Sequence, residues 1–367
     1  MLRRAALIAV LALLAVPALA EAGAYPPHGK ELYAGVSDGG SKQDYFDFAG
    51  AVGRHVPVMQ AFETWNSWSQ EAVKRWKRTE TRGMLSISTS PCYGCSGVIS
   101  PRAIRKGRGD RYLLTMNRRL AQWGRPTYVR LLPEMNGHWN PYSAFESDGS
   151  RRGSAYKTAQ FRKAWKRTVI VVRGGPRREI NHKLKANRMR PLTTGRNSAH
   201  PPKNIPQPKV AFLWVPQTSG SPDRKGNGPR AYWPGAKYVD WIGADIYGKF
   251  PNFGGLNHFY KHYKRLPFVL GEWGPWDVDH AAFTRHLFRW IRKHKRARMA
   301  VYYQGFGPGN PFEIDHYPRS RRALRKELKG RRWVKRAPDS RRPDGGGHSR
   351  GGPDGIPPSP EVRRLLR

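Results

Sequence analysis

Two glutamates follow short runs of strand-forming residues. Glu134 lies in the segment LPEMNG (132–137), and Glu272 lies in VLGEWG (269–274). Cleaving a glycosidic bond with retention of configuration needs one carboxyl group to protonate the leaving oxygen and a second to attack the anomeric carbon. The alternative is that each glutamate is an ordinary ion-pair partner, with Arg130 as the counter-charge of Glu134. The placement of both at strand ends favours the paired, chemical interpretation.

The order of predicted secondary structure would bring these strand ends together. Eight β-type runs alternate with helical segments, which is the order of a (β/α)8 TIM barrel in the α/β class. The C-terminal strand ends of such a barrel converge on one face, so Glu134 after the fourth run and Glu272 after the seventh would share a cleft. The predicted strands are 33–37, 56–62, 84–88, 128–132, 210–215, 241–246, 268–270 and 300–303.

The barrel accounts for residues 25–335. Helices are predicted at 67–77, 112–123, 161–172 and 281–294, and Asp279 is the expected cap of the last one. Two stretches do not fit this pattern. Residues 174–208 are basic and rich in proline, which predicts an irregular insertion before the fifth strand. Residues 337–367 contain Gly-Gly-Gly and Pro-Asp repeats, which predict a disordered tail.

The N-terminal segment has the composition of an export signal. Arg3 and Arg4 precede an apolar run over 5–19, and Ala18-Leu19-Ala20 matches a small-residue cleavage site. The run is about 15 residues long and the span of a bilayer needs roughly 20, so a retained membrane anchor is the weaker alternative. We expect residues 1–20 to be removed and the product to be secreted as a monomer.

The chain is strongly basic. Lys and Arg total 67 against 26 Asp and Glu, for a formal net charge of +41. Such a field attracts polyanions. Nucleic acid is not the expected partner because the export signal directs the chain outside, where anionic cell-wall polymers are available. The alternative is a solvated basic surface without a partner. The richest runs are 173–209 and 319–336.

The remaining candidate chemistry is limited. Cys92 and Cys95 are the only cysteines; they could form a small loop disulfide, and their spacing without a second pair does not suggest zinc. Neither metal-ligand spacing nor a glycine-rich phosphate loop is evident, so no metal or cofactor is expected. Aromatic residues make up 12% of the chain. Trp139 and Trp273 flank the glutamates, where an indole could stack on a sugar, although core packing is the commoner role of a tryptophan.

The segment VRLLPEMNGHWNPY (129–142) resembles the signature of glycoside hydrolase family 26, whose best-known members are β-mannanases. The resemblance extends over about 33–306. It is carried further by Trp214-Val215-Pro216-Gln217, by GADIYG (243–248) and by GEWG (271–274). It implies a retaining glycosidase that acts on β-mannan or a related β-linked polysaccharide.

The same resemblance implies roles for individual residues. Glu134 would be the acid/base and Glu272 the nucleophile. Tyr247 would contact the nucleophile, Trp139 would be an aromatic platform for sugar, and Asp245 would organise that corner. The predicted substrate-binding set is Arg130, Asn136, Trp139, Asp245, Tyr247 and Trp273.

The sequence departs from the family pattern at two positions. Pro133 occupies the place where the family usually has histidine before the acid/base glutamate, and proline can neither donate a hydrogen bond nor titrate. Gln217 occupies a place where asparagine is common. Two alternatives to a secreted endo-β-glycosidase therefore stay open: a polysaccharide-binding barrel that has lost catalysis, and a basic protein that adheres to polyanions.

Overall fold

The computed structural model describes residues 25–67, 70–92, 94–192, 201–307, 309–339 and 359–367. Eight parallel strands pair in chain order, and the last pairs with the first, from Tyr33 opposite Met299 to Val36 opposite Tyr302. This closes a barrel and confirms the predicted (β/α)8 fold. The strands are β1 Leu32–Ser37, β2 Val58–Thr64, β3 Arg82–Ser88, β4 Thr127–Leu131, β5 Val210–Trp214, β6 Trp241–Tyr247, β7 Phe268–Gly274 and β8 Ala297–Tyr302.

Helices follow the strands and cover the outside of the barrel. The four helices predicted from sequence are all present, with ends that differ by a few residues. The helices are α1 Lys42–Val52, α2 Gln70–Thr79, α3 Pro101–Arg105, α4 Asp110–Trp123, α5 Thr158–Arg173, α6 Arg177–Ala186, α7 Pro229–Tyr232, α8 Phe253–His262, α9 Ala281–Lys293, α10 Pro318–Leu328 and α11 Pro360–Leu366.

Alternation along each strand separates two cores. In β4, Val129 and Leu131 pack outward in the large core between strands and helices. Tyr128 points inward and belongs to a smaller core that fills the barrel. Arg130 also points inward, nearer the C-terminal end of the strand, where it reaches side chains of other strands. The alternation of side chains along a strand therefore decides which residues point into the barrel and can reach the site formed at its C-terminal end.

The prediction of an irregular insertion at 174–208 is wrong for part of that stretch, which forms a helix and a short ladder. Residues Gly175–Pro176 pair with Asn204–Ile205 as a short antiparallel ladder, and α6 lies between them. Ile180 and Leu184 are spaced by one helical turn and are fully buried in the outer core. This four-residue spacing of apolar side chains stabilises the helix against the barrel. Residues 193–200 lie outside the described part of the chain.

The prediction of a disordered tail over 337–367 is wrong at its end. Residues Pro360–Leu366 form α11, and Val362 is fully buried. The backbone N–H of His55 donates to the carbonyl of Leu365 at 3.1 Å, and the ammonium of Lys335 donates to that of Leu366 at 2.9 Å. The C-terminal helix is therefore docked on the barrel beside α1. Residues 340–358 lie outside the described part.

Asp279 does not cap α9 as predicted. His280 precedes that helix without a side-chain cap. The carboxylate of Asp279 instead accepts hydrogen bonds from the backbone N–H groups of Arg319, at 2.9 Å, and Ser320, at 2.7 Å, in the first turn of α10. The residue thus fastens the loop after β7 to the start of the helix after β8.

Two other sequence predictions concern the loops and termini. Cys92 and Cys95 are bonded to each other in the loop after β3, with a Cα–Cα distance of 5.3 Å. The predicted export signal at 1–20 lies outside the described residues. No helix in the described ranges combines the length and the apolar character that crossing a membrane requires.

A buried ion pair joins α4 to α5. Arg167 is fully buried, and its Nε donates to Asp110 Oδ1 at 2.7 Å while a second bond joins Nη2 to Oδ2. Its Nη1 donates to the carbonyl of Arg190 at 2.6 Å. Burial raises the pKa of Asp110, and the Arg167 hydrogen bonds oppose that rise. Each charge depends on the other to be tolerated inside the protein.

We expect Arg167→Met to lower the free energy of unfolding by about 3–5 kcal/mol, because it leaves the Asp110 carboxylate buried without its cation. The pKa of Asp110 would rise further in this variant, and stability from a raised pKa is lost as pH rises. The deficit should therefore be smaller at pH 4.5 than at pH 7. Denaturation at both pH values measures it, with Arg167→Met/Asp110→Leu as the matched control that removes both charges. A deficit that is independent of pH and unchanged in the double variant would contradict this account.

Candidate active site

A buried arginine links two carboxylates at the C-terminal end of the barrel. Arg130 of β4 donates from Nη1 to Glu272 Oε1 of β7 and from Nη2 to Asp245 Oδ2 of β6. The exposed fractions are 1% for Arg130, 7% for Asp245 and 8% for Glu272. A charged side chain this deep is stable only when it is paired, so the guanidinium of Arg130 ties the three strands together. Burial raises the pKa of Asp245 well above its ordinary value, and the cation Arg130 opposes that rise.

A bulge in β7 aims Glu272 into the barrel. Leu270 of β7 pairs with Ala244 of β6, and the next pair is Trp273 with Ile246. The chain therefore advances by three residues along β7 and by two along β6. The same shift occurs against β8. Gly271 takes the extra inward position, where a Cβ would lie 2.9 Å from Asp245 Oδ1. The bulge thus lets two consecutive residues face the interior and directs Glu272 at the site.

Two further side chains hold the Glu272 carboxylate. The hydroxyl of Tyr247 donates to Oε2 at 2.7 Å, which is the contact that the resemblance implied. Gln60 Nε2 lies 3.4 Å from Oε1. Sequence reasoning missed Gln60, although it is the polar residue at an inward position of the apolar strand β2. With Arg130, these donors fix the orientation of the Glu272 carboxyl group.

Glu134 sits just beyond β4 on a backbone of unusual conformation. Leu132 has φ +43° and Glu134 has φ +48°, on either side of Pro133. Non-glycine residues in this left-handed region are uncommon, and they concentrate at functional sites. The indole N–H of Trp139 donates to Glu134 Oε2 at 2.9 Å, and Gln217 Nε2 donates to Oε1. Two neutral donors therefore orient this carboxyl group.

The electrostatics of the two glutamates differ. Burial raises the pKa of Glu134, and the negative charge of Glu272 raises it further. The cation Arg130, a hydrogen bond with Asp245 and the indole N–H of Trp139 oppose this rise without cancelling it. A carboxyl group that tends to keep its proton thus lies near a carboxylate that is held by a cation and a phenol. This is the division of roles that acid catalysis with a nucleophile requires.

Three predicted site residues have structural roles. Asn136 is fully buried, and its Nδ2 donates to the carbonyls of Gln217, at 3.0 Å, and Ser219, at 2.9 Å. It fixes the loop after β5 beneath Glu134. Trp273 is 2% exposed and packs outward against Phe288 and Tyr302, so it does not face the cleft. Asp245 is buried under Glu272 as the second partner of Arg130.

Aromatic rings extend from Tyr247 around the mouth of the barrel. Trp276 lies 5.2 Å from the Tyr247 ring and 5.5 Å from Phe250. The row continues through Tyr303, which lies 6.3 Å from the Tyr247 ring and packs with Phe306 and Phe62. Phe250 is 62% exposed and Phe306 is 50% exposed. Such rings present apolar faces of the kind on which the C–H groups of a hexose pack.

Comparison with known proteins shows similarity in structure rather than in sequence. No protein-family model matches the chain, and no curated protein is significantly similar to it in sequence. GH26A from Muricauda sp. MAR_2010_75 is similar with a TM-score of 0.53 and 15% identity, over 85% of this chain and 93% of the other. The chain shares its fold. The resemblance to glycoside hydrolase family 26 is thus confirmed at the level of architecture.

Two mannanases show the same similarity. For the Cellulomonas fimi endo-β-1,4-mannanase double mutant the TM-score is 0.54 with 14% identity, over 83% of this chain and 72% of that one. For Bacillus subtilis mannanase man26 it is 0.50 with 14% identity, over 89% and 92%. At these identities the likeness establishes the fold, and the activity has to be argued from the side chains at the site.

We expect Trp139→Phe to raise the pKa of Glu134, because the variant removes a hydrogen bond that stabilises the ionised carboxylate. Infrared difference spectroscopy can follow the carboxyl band that titrates in the native protein and is absent from Glu134→Gln. Trp123→Phe is the matched control, since that indole packs on Trp76, on the outer side of the barrel. An unchanged or lowered pKa in Trp139→Phe would show that the indole does not act on Glu134.

Proposed function

We propose that the protein is a retaining glycoside hydrolase that acts on a β-linked polysaccharide, with β-mannan as the first candidate. The observation that carries the proposal is the pair of glutamates at the ends of β4 and β7, one with a raised pKa and one held as a carboxylate by Arg130 and Tyr247. Two carboxyl groups with such different surroundings supply the acid and the nucleophile that glycoside cleavage needs.

The chemistry follows from these two environments. Glu134 donates its proton to the leaving glycosidic oxygen as Glu272 attacks the anomeric carbon, which breaks the glycosidic bond and forms a glycosyl ester. Glu134, now ionised, takes a proton from water, and the hydroxide oxygen displaces Glu272 from the anomeric carbon. Glu134 regains its proton and Glu272 its charge. Two inversions give net retention.

The aromatic mouth supports a sugar substrate. Phe250, Trp276 and Phe306 are at least partly exposed, and Phe312 and Tyr303 connect them into one row of rings beside Tyr247, on which hexose units could stack. The mannanase names of two structurally similar proteins make β-mannan the first polymer to test. Endo attack is part of the proposal, because a row of several rings offers contacts to more than one sugar unit of a polymer.

The binding barrel without catalysis is the second candidate, favoured by Pro133. Against it stand the two donors that Glu134 retains, from Trp139 and Gln217. Both glutamates also keep the surroundings that separate their protonation states. We therefore favour hydrolysis over binding alone.

Glu272→Ala should lower hydrolysis by at least about 10⁴-fold, because the covalent step loses its nucleophile. Reducing ends released from β-mannan, glucomannan, mixed-linkage glucan, xylan and an acidic wall polysaccharide measure this. Azide added to the variant should restore cleavage of an activated glycoside and give the α-glycosyl azide, since the small anion attacks from the side that Glu272 occupied.

Glu361→Ala on α11 is the matched control and should retain full activity. Polysaccharide binding by the native chain without new reducing ends on any polymer would exclude hydrolysis and favour the binding barrel. Rescue that gives the β-azide would contradict Glu272 as the nucleophile and the retaining mechanism.

Secretion is the second part of the proposal. Removal of residues 1–20 would give a mature chain that starts at Glu21. Expression of the full chain in a bacterial host should release a protein of that N-terminus into the medium or the periplasm, as N-terminal sequencing can determine. A cell-associated product that keeps Met1 would contradict it, and replacement of the apolar residues Leu11, Leu13 and Leu14 with aspartate provides the export-deficient control.

A further inference from the structure

The outer surface of the barrel has a basic groove between α9 and α10. Its volume is about 690 Å3, and its lining includes the small residues Ala281, Ala282 and Ala323. Four exposed cations line it: Arg285 of α9, and Arg319, Arg322 and Lys326 of α10. The small alanine side chains leave room for a ligand beside the cations.

None of the four cations forms a close ion pair with a carboxylate among the described residues. Two acidic residues also line the groove. Glu327 pairs with Arg292, which does not line the groove, whereas Asp279 accepts the backbone N–H groups of Arg319 and Ser320 and keeps its negative charge. Four cations therefore face one carboxylate whose charge is not already paired with a cation elsewhere, so the groove keeps an excess of positive charge.

The groove on the opposite side of α10 provides a contrast. It has a similar volume, about 740 Å3, and is lined by five cations, of which Arg322 borders both grooves. Four carboxylates lie among them, those of Asp47, Glu313, Asp315 and Glu361, and one of these pairs directly with Arg321. That surface is nearly balanced, so the unbalanced charge of the α9–α10 groove is a local feature and not a property of every surface of α10.

The positions of the cations suit a linear ligand. Arg319, Arg322 and Lys326 are spaced by three and four residues, so they lie on one face of α10 over a length of about 10 Å. Arg285 faces them from α9. The groove begins where α9 and α10 leave the loops after β7 and β8, which is the end of the barrel that carries Glu272. A polymer in the groove would therefore start at the same rim as the candidate active site.

We propose that the α9–α10 groove binds a linear anionic polysaccharide with regularly spaced carboxylate or phosphate groups. Arginine forks suit both groups because each accepts two parallel N–H bonds. A single-stranded nucleic acid would need stacking rings for its bases, and the residues that line this groove include no Trp, Tyr or Phe. The proposal concerns binding alone and does not depend on hydrolysis at Glu134 and Glu272.

The test uses polygalacturonate as the carboxylate probe and a linear phosphomannan, whose sugar units are joined by phosphodiester groups, as the phosphate probe. The groove variant is Arg319→Gln/Arg322→Gln/Lys326→Gln in the full chain. Its matched control is Arg178→Gln/Lys183→Gln/Lys185→Gln on the exposed face of α6, which lowers the net charge by the same amount. Thermal unfolding of both variants checks that the fold is retained, and Kd is measured at several salt concentrations.

The groove variant should bind at least one probe about tenfold more weakly. One exposed ion pair contributes less than a tenfold change in Kd, and the three lost together account for about that factor. Its Kd should also depend less steeply on salt. The control should change Kd less than about twofold.

Equal weakening in both variants would overturn the proposal, since it would mean that the whole field and not the groove attracts the polymer. The absence of binding to both probes would overturn it as well. Tighter, groove-dependent binding of single- or double-stranded DNA than of either probe would replace the polysaccharide with nucleic acid.

Discussion

The Arg130 bridge is the interaction on which the candidate site depends. It places one cation between Glu272 and Asp245, on three different strands, at a depth where the charge of Arg130 would not be stable alone. Gly271 leaves the space that this arrangement fills, because a Cβ there would lie 3.1 Å from Arg130 Nε. The negative charge of Glu272 raises the pKa of Glu134. The bridge thus fixes the position of the carboxylate that acts on the protonation of Glu134.

The barrel could be predicted from sequence because burial on a strand is periodic. All eight strands were recognised, since apolar runs of the right length alternate with amphipathic helices. The two glutamates were recognised by their place after the fourth and seventh runs. The role of Trp273 could not be predicted in this way: the bulge in β7 resets the alternation, and a shift of one residue exchanges the inner and outer faces of a strand.

Regions outside the barrel were harder to predict because their composition hides their packing. The basic, Pro-rich character of 174–208 concealed α6, although Ile180 and Leu184 carry the four-residue spacing of a buried helical face. The helix α11 could not be recognised behind the repeats that precede it, because it buries only the side chain of Val362 fully and is held otherwise by hydrogen bonds to its last carbonyls. Gln60 and Trp139 were likewise understood only from contacts, since hydrogen bonds to a distant carboxylate leave no periodic signal.

Pro133 cannot donate a hydrogen bond to Glu134, but other contacts still hold Glu134 in place. Its carbonyl accepts the hydroxyl of Tyr142 at 2.7 Å and the Nδ2 of Asn140 at 3.3 Å, so the missing side-chain donor is accompanied by a backbone anchored at two points. The fixed φ of proline also restrains the turn that holds Glu134 in the left-handed region. Trp139 and Gln217 donate hydrogen bonds to Glu134, and the anchored backbone at Pro133 restrains it. Together these contacts supply the orientation that an adjacent histidine would otherwise give. Its dependence on those loops makes the segments after β4 and β5 part of the site.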